Sequence, residues 1–326
     1  MTLLELARRS PRRIAIVISS RMGAGYAGFS DIEIMEDPVK KTASVLAFVE
    51  RHDPDIVYSI AGMAAEAESL GAVVRNNETG SQTFLKRPLA ESDDLDRLKS
   101  TSIEDSPLCS SFLESLRLLT QKITDRPVAG SLAGPLSVAG QLIGLDKMLV
   151  LSVEKPEYVK TVLEIVTARL LEYVKMQAEC GVGFVNVAEP TGSLLSPPSF
   201  RELCLPFLKA VFADIRVPNF LHICGDTNRH LEVLAETGAN AVSVDAMVDM
   251  RRAADLFGPR MGVCGNIASA GVLFSGTPEE VRETTATMLA LMSGRDTYIP
   301  ATSCSVGRNV PEENIRAFLK TVRNSQ

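Results

Sequence analysis

Short apolar runs recur along the chain at regular intervals, and their length and residue types set the first expectation. They are "IAIVIS" (14–19), "DIVYSI" (55–60), "PVAGSL" (127–132), "GFVNVAEP" (183–190), "NFLHIC" (219–224), "NAVSVDA" (240–246), "MGVCGNI" (261–267) and "TYIPATSC" (297–304). Most carry apolar residues at consecutive positions rather than alternate ones, as strands of a parallel sheet covered by helices do. Longer stretches with helical spacing lie between them. "DPVKKTASVLAFVERH" opens on Asp37-Pro38, "KPEYVKTVLEIVTARLLEYVKMQAECG" ends on Gly181, and "TPEEVRETTATMLALMS" opens on Thr-Pro-Glu-Glu, all helix boundary signals. Eight strands alternating with helices predict an α/β fold, a (β/α)8 TIM barrel with N-terminal and helical extensions. In that fold the C-terminal ends of the strands form the active face. The pattern predicts one domain over 1–326, with the polar stretch 75–125 as helical decoration.

Composition narrows the class. The chain has 326 residues, 45% hydrophobic and 23% charged, with a net charge of −6. A pI near 5.3 argues against a nucleic-acid or anionic-membrane partner. No run of 18 apolar residues predicts a transmembrane helix. "MTLLELARRSPRR" reads as a short amphipathic helix rather than an export signal. The six cysteines are scattered, without CxxC pairs, which fits reduced thiols in a cytoplasmic protein.

"GAGYAG" (Gly23, Gly25 and Gly28) follows the first apolar run and matches G-x-G-x-x-G. A dinucleotide fingerprint requires a helix opening within the motif. The sequence instead signals a helix start only near Asp37-Pro38, so a mobile loop at the barrel mouth is expected here.

The candidate chemistry lies in "FLHIC", where His222 and Cys224 stand two apart. On a strand, that spacing points both side chains to one face. Imidazole and thiolate are zinc ligands. Barrel closure brings strand ends together at one mouth, so Cys304 of "ATSCSVG" is the third candidate, and Asp245 of "SVDA" offers a carboxylate from the adjacent strand. Cys264 of "VCGN" also ends a candidate strand and is a rival ligand. Cys109, Cys180 and Cys204 fall on helical or loop segments and receive no chemistry.

The blocks "AEPTGSLLSPPSF", "LPFLKAV", "HICGDTNRHLEVLAETGANAVSVD", "GNIASAGVLFSGTPEEV" and "PEENIRAFL", in that order and at those intervals, resemble the uroporphyrinogen decarboxylase superfamily. "DPVKKTASVLAF" and "GPLSVAGQLIG" extend the resemblance into the N-terminal half. The decarboxylase branch carries an "RQAGR"-type loop for substrate carboxylates, whereas this chain has "RMGAGYAG" there, with the single arginine Arg21. The methylcobamide:coenzyme M methyltransferase branch uses an H-x-C…C zinc site, which His222, Cys224 and Cys304 match. Cobalamin-independent methionine synthase has a similar site with an acidic ligand between, close to Asp245.

The resemblance implies Zn2+ at His222, Cys224 and Cys304, with Asp245 as a ligand displaced by the arriving thiol; Glu189, which ends the fourth candidate strand, is expected either to accept the thiol proton or to orient a ligand. It implies methylcobamide as methyl donor and a thiol such as coenzyme M as the small-molecule acceptor. No corrinoid-binding D-x-H-x-x-G motif occurs in the chain, so the cobamide is expected on a separate corrinoid protein. That partner would dock at the mouth, with Gly23, Gly25 and Gly28 in its rim. The alternatives are a folate or methoxy-compound methyltransferase, a decarboxylase-like enzyme, and a degenerate barrel acting as a binding subunit.

Overall fold

The computed structural model describes residues 1–92 and 94–325. Seven strands form one parallel sheet in the order β1 (Val57–Tyr58), β4 (Val128–Ala133), β5 (Phe184–Ala188), β6 (Asn219–Ile223), β7 (Ala241–Val244), β8 (Gly262–Ile267) and β9 (Tyr298–Thr302). The first apolar run is shorter as a strand than its pattern predicts. It makes one parallel bridge, Ile16 to Ala301, and Ile16 exchanges backbone hydrogen bonds with Pro300 and Thr302. Toward β1 its link is a side chain, with the Ala15 N–H donating to Asp55 at 3.0 Å. The eight segments together make a (β/α)8 barrel of the TIM type.

The barrel has two separate apolar interiors. One lies between the sheet and its surrounding helices. The other fills the barrel itself: where a segment gives it more than one residue it takes every second one, Ile14, Ile16 and Ile18, Ile56 and Tyr58, Ile299 and Ala301, while β4 to β8 add Ala129, Phe184, Phe220, Ala241 and Cys264. This is the period of two that a strand imposes. Leu3 and Leu4 of the helix Leu3–Arg9 close this interior from below, so the helical N-terminus expected from the sequence acts as a plug. Cys264 sits within the same interior with no exposure. It is a packing residue, and its burial pushes its thiol pKa far up.

One layer above, the same inward face turns polar: Ser131 follows Ala129 by two, Asn186 follows Phe184, His222 follows Phe220 and Ser243 follows Ala241. The strand register puts Ser131 beside Asn186, Ala188 beside His222, and His222 beside Ser243. The change from apolar to polar marks where barrel core ends and functional cavity begins.

Two regions differ from the sequence expectation. The stretch 75–125 includes much of an antiparallel hairpin, β2 (Val73–Asn76) and β3 (Gln82–Lys86), before the helices Asp96–Lys99 and Pro107–Lys122. Its turn is closed by Asn77 and Gly80, and Val74 and Phe84 pack on the core; residue 93 lies outside the described residues. The hairpin's own β-type alternation is diluted by the polar turn "NNETGSQ", which is why composition alone suggested helix.

"GAGYAG" is not a loop. It forms most of the helix Met22–Ala27, capped by Gly28 in the left-handed conformation (φ 77°). Gly23 is buried against the helix Pro38–His52, where a Cβ would fall 1.8 Å from the Ser44 carbonyl oxygen. Close helix–helix approach, which only a residue without Cβ permits, accounts for this glycine. Gly25 faces the Arg308 side chain, and none of the three glycines lines the cavity at the mouth.

Candidate active site

A cavity of about 580 Å³ opens at the C-terminal ends of the strands. His222 enters it from the end of β6, Cys224 from the first turn after that strand, and Cys304 from the turn after β9. His222 Nε2 stands 3.0 Å from Cys224 Sγ, and Cys224 Sγ stands 3.3 Å from Cys304 Sγ. The three atoms all lie within 4.8 Å of one another, the only such His/Cys/Asp/Glu group among the described residues. His222 is buried, whereas both sulfurs are half-buried and open to the cavity.

Electrostatics divides the two sulfurs. The hydrogen bond between them depresses the pKa of the Cys304 thiol, with His222 adding to the effect. The same hydrogen bond, together with burial, pushes the Cys224 pKa up. Two soft sulfurs and an imidazole converging on one point make a donor set for a thiophilic divalent ion. Tetrahedral zinc at its usual bond lengths separates two sulfurs by about 3.8 Å and sulfur from nitrogen by about 3.5 Å. The distances seen here are each about half an ångström shorter, so the donors fit such an ion after a small opening.

His222 is oriented from behind. Its Nδ1 lies 3.1 Å from the Ser243 hydroxyl on β7, and Ser243 is fully buried. Holding one ring nitrogen leaves the other aimed at the cluster. The "AVSV" run carried this signal as its one polar residue, two positions after an inward-facing alanine, but the register that pairs it with His222 is not local. The inward Tyr58, Ser131 and Asn186, which also line the cavity, carry no local signal for the same reason.

Two expected participants stand elsewhere. Asp245 Oδ2 accepts from the Gly225 N–H at 3.1 Å and lies outside the three-atom group. Gly225, at φ 86°, makes the turn that follows Cys224, so Asp245 braces that turn. Glu189 is fully buried and does not line the cavity. Its carboxylate receives the Leu136 N–H at 2.8 Å and the Ser137 hydroxyl, at the start of the helix Pro135–Ile143. Burial raises its pKa to about 7 against those hydrogen bonds. It reaches His222 through the backbone alone, the Glu189 N–H donating to the His222 carbonyl at 2.9 Å. It is therefore a brace between β5, β6 and that helix, and its carboxylate is not placed to take a proton from a cavity thiol.

The profile of the uroporphyrinogen decarboxylase (URO-D) family matches residues 12–325. The chain is similar to a methylcobamide:CoM methyltransferase, MtbA, of Methanosarcina acetivorans, at 26% identity over 80% of this chain and 77% of that one. It is also similar to the uroporphyrinogen decarboxylase of Myxococcus xanthus, at 25% identity over 81% and 80% of the two chains. Among solved structures, a methyltransferase from Methanosarcina mazei superposes with a TM-score of 0.85 at 22% identity, over 98% of this chain and 96% of that one. A B12-independent methionine synthase from Shewanella superposes at 0.59 and 15% identity, over 87% and 88%. With nearly its whole length matched by the family profile, the barrel in common and methylcobamide:CoM methyltransferases among its relatives, the chain belongs to the uroporphyrinogen decarboxylase family, on its methyltransferase branch.

Proposed function

We propose that the protein is a corrinoid-dependent methyltransferase that holds zinc at His222, Cys224 and Cys304 and moves a methyl group from a methylcobamide to a thiol such as coenzyme M. The observation that carries this reading is the convergence of one imidazole and two sulfurs on a single point at the barrel mouth. Relatives named methylcobamide:CoM methyltransferases support the reaction class. The cobamide would arrive on a separate corrinoid protein, and six unpaired cysteines agree with a cytoplasmic setting.

When bound, zinc would supply the charge that keeps an incoming alkyl thiol deprotonated at neutral pH, where a free thiol is mostly protonated. Cys224 and Cys304 hold the soft side of the site, and their negative charge preserves the reactivity of the incoming sulfur. Ser243 fixes the His222 ring. Asp245 and Gly225 set the turn that presents Cys224 to the cavity. With the Glu189 carboxylate turned into the protein, proton release passes to solvent at the open mouth.

Decarboxylation finds less support. Arg21 is the single arginine lining the cavity, and its guanidinium donates to the Gly80 carbonyl at 2.9 Å and pairs with Asp31.

The test is metal content of anaerobically purified protein, followed by demethylation of methylcobalamin with a panel of thiols. Near-stoichiometric zinc and thiol-dependent transfer are expected, and both are lost in Cys224→Ser and Cys304→Ser. Full transfer activity in either variant, or in the metal-free protein, removes the proposed role.

A further inference from the structure

Two of the six cysteines stand apart from the rest. Cys109, Cys180, Cys204 and Cys264 are buried, none of them more than 5% exposed. The Cys109 and Cys180 sulfurs are turned to the backbone carbonyls of Ala65 and Leu113. Cys224 and Cys304 are instead half-buried and line the mouth cavity, with their sulfurs 3.3 Å apart. A thiol reacts only where a reagent can reach it, so an oxidant entering the cavity meets this pair and no other cysteine.

The same closeness suits a metal or a covalent bond, and the two uses exclude each other. Tetrahedral zinc would open the pair by about half an ångström. A disulfide, about 2.05 Å long, would close it by roughly 1.2 Å. Closure asks for a turn of two side chains and not for a shift of the barrel, because Cys224 stands on the turn after β6 and Cys304 on the turn after β9. The Cys304 backbone stays pinned on both sides: the Ser269 hydroxyl donates to its carbonyl at 2.8 Å and accepts its N–H at 3.1 Å.

The oxidant that fits is a low-molecular-weight disulfide, RSSR. A cavity of about 580 Å³ that takes a small thiol has room for the symmetric disulfide of that thiol. One cysteine sulfur attacks RSSR, forming a mixed disulfide and releasing one RSH. The neighbouring cysteine, already 3.3 Å away, then attacks the first cysteine's sulfur and releases the second RSH. Both cysteine protons leave on the released thiols; the protein is oxidised by two electrons and RSSR is reduced by two. Of the three donors only His222 then remains, too few to hold zinc.

We propose that Cys224 and Cys304 form a modification site, a dithiol that a small disulfide entering the mouth converts to an intramolecular disulfide, shutting out the metal until a reductant reopens the pair. On the zinc–thiol reading, on which this builds, the oxidised form of the acceptor thiol is the natural oxidant, so an oxidised thiol pool stops transfer at the metal site itself.

The full chain, zinc-loaded and metal-free, is treated anaerobically with 2-hydroxyethyl disulfide. Remaining thiols are trapped with iodoacetamide and counted by mass after denaturation, while released zinc is read with a chromogenic chelator. Both forms are expected to lose two of six alkylatable thiols, with the tryptic peptides of Cys224 and Cys304 joined, and the loaded form to release its zinc in step. Dithiothreitol should restore all six thiols and metal binding. Cys224→Ser and Cys304→Ser should each stop at a mixed disulfide carrying one mercaptoethanol group. Six thiols retained in either form, a wild-type chain halted at the mixed disulfide, a bond through another cysteine, or a joined pair that keeps its zinc overturns the site. A chain that joins the pair but never takes up zinc counts against the function alone. One that takes up zinc and transfers methyl groups, yet keeps both thiols free, counts against the modification site alone.

Discussion

Replacing Ser243 with alanine takes away the one contact that orients the His222 ring from behind. Both residues are buried, Ser243 with no exposure and His222 at 4%, so water does not readily take the place of the hydroxyl. The imidazole Nδ1 loses its 3.1 Å partner and becomes an unsatisfied buried polar atom, at a cost of about 1–3 kcal/mol. Part of that cost falls on the folded protein and part on metal binding, because a free ring samples orientations that do not aim Nε2 at the sulfurs. Loss of an outer hydrogen bond to a metal-bound histidine typically weakens the metal about 10–100-fold, or about 1.4–2.8 kcal/mol. The assay is competition for zinc with a chromogenic chelator, in parallel with urea unfolding of the metal-free protein. Ser243→Ala should lose zinc at roughly tenfold lower chelator concentration, and Ser243→Cys, which retains a weak donor, should fall between. Unchanged zinc affinity in Ser243→Ala would mean that packing alone positions the ring, and the orienting role assigned to Ser243 would be wrong.

Cys264→Ala should keep full zinc stoichiometry and lose about 1 kcal/mol or more of stability from the barrel interior, whereas loss of metal in that variant would return Cys264 to the ligand set. Gly23→Ala should destabilise by about 3 kcal/mol in urea, since its Cβ meets the Ser44 backbone at 1.8 Å; Gly25→Ala, whose nearest neighbour is a flexible arginine at 3.8 Å, should be neutral or stabilising. A Gly23→Ala protein as stable as wild type refutes the close-approach account. Glu66 is fully buried, with one oxygen on the Ala133 N–H at 2.9 Å and the other unpartnered. Burial raises its pKa to about 8 from an ordinary 4.5. Because the folded pKa is the higher one, its contribution is complete below about pH 4.5 and is lost progressively as pH rises toward 8. Glu66→Gln, which resembles the protonated form, should therefore gain on wild type by about 2 kcal/mol between pH 6 and pH 8 in urea unfolding. A gap that does not change with pH contradicts the raised pKa.

Much of this molecule was legible from one dimension. Seven of the apolar runs became paired strands, because short β-type runs flanked by helix signals are a local property that tertiary context seldom overrides. The convergence of His222, Cys224 and Cys304 was legible too. Two residues apart on a strand share a face whatever else happens, and closure of a barrel carries the ends of β6 and β9 to one mouth. What the sequence could not determine was every feature that depends on register or on which neighbour a side chain meets. The first run bridges at one residue instead of pairing along its length, since strand length is decided by the partner. The glycines of "GAGYAG" serve a helix contact with Ser44, a neighbour 21 residues away in the chain. Glu189 ends a strand as a catalytic carboxylate would, but the turn after β4 offers it a helix N-terminus and draws it away from the cavity. Ser243 behind His222 was an unremarkable polar letter until the register between β6 and β7 set the two level. Local pattern determines which elements form and which face each residue takes. Only the register between strands, fixed by packing over the whole barrel, decides which of those faces meet.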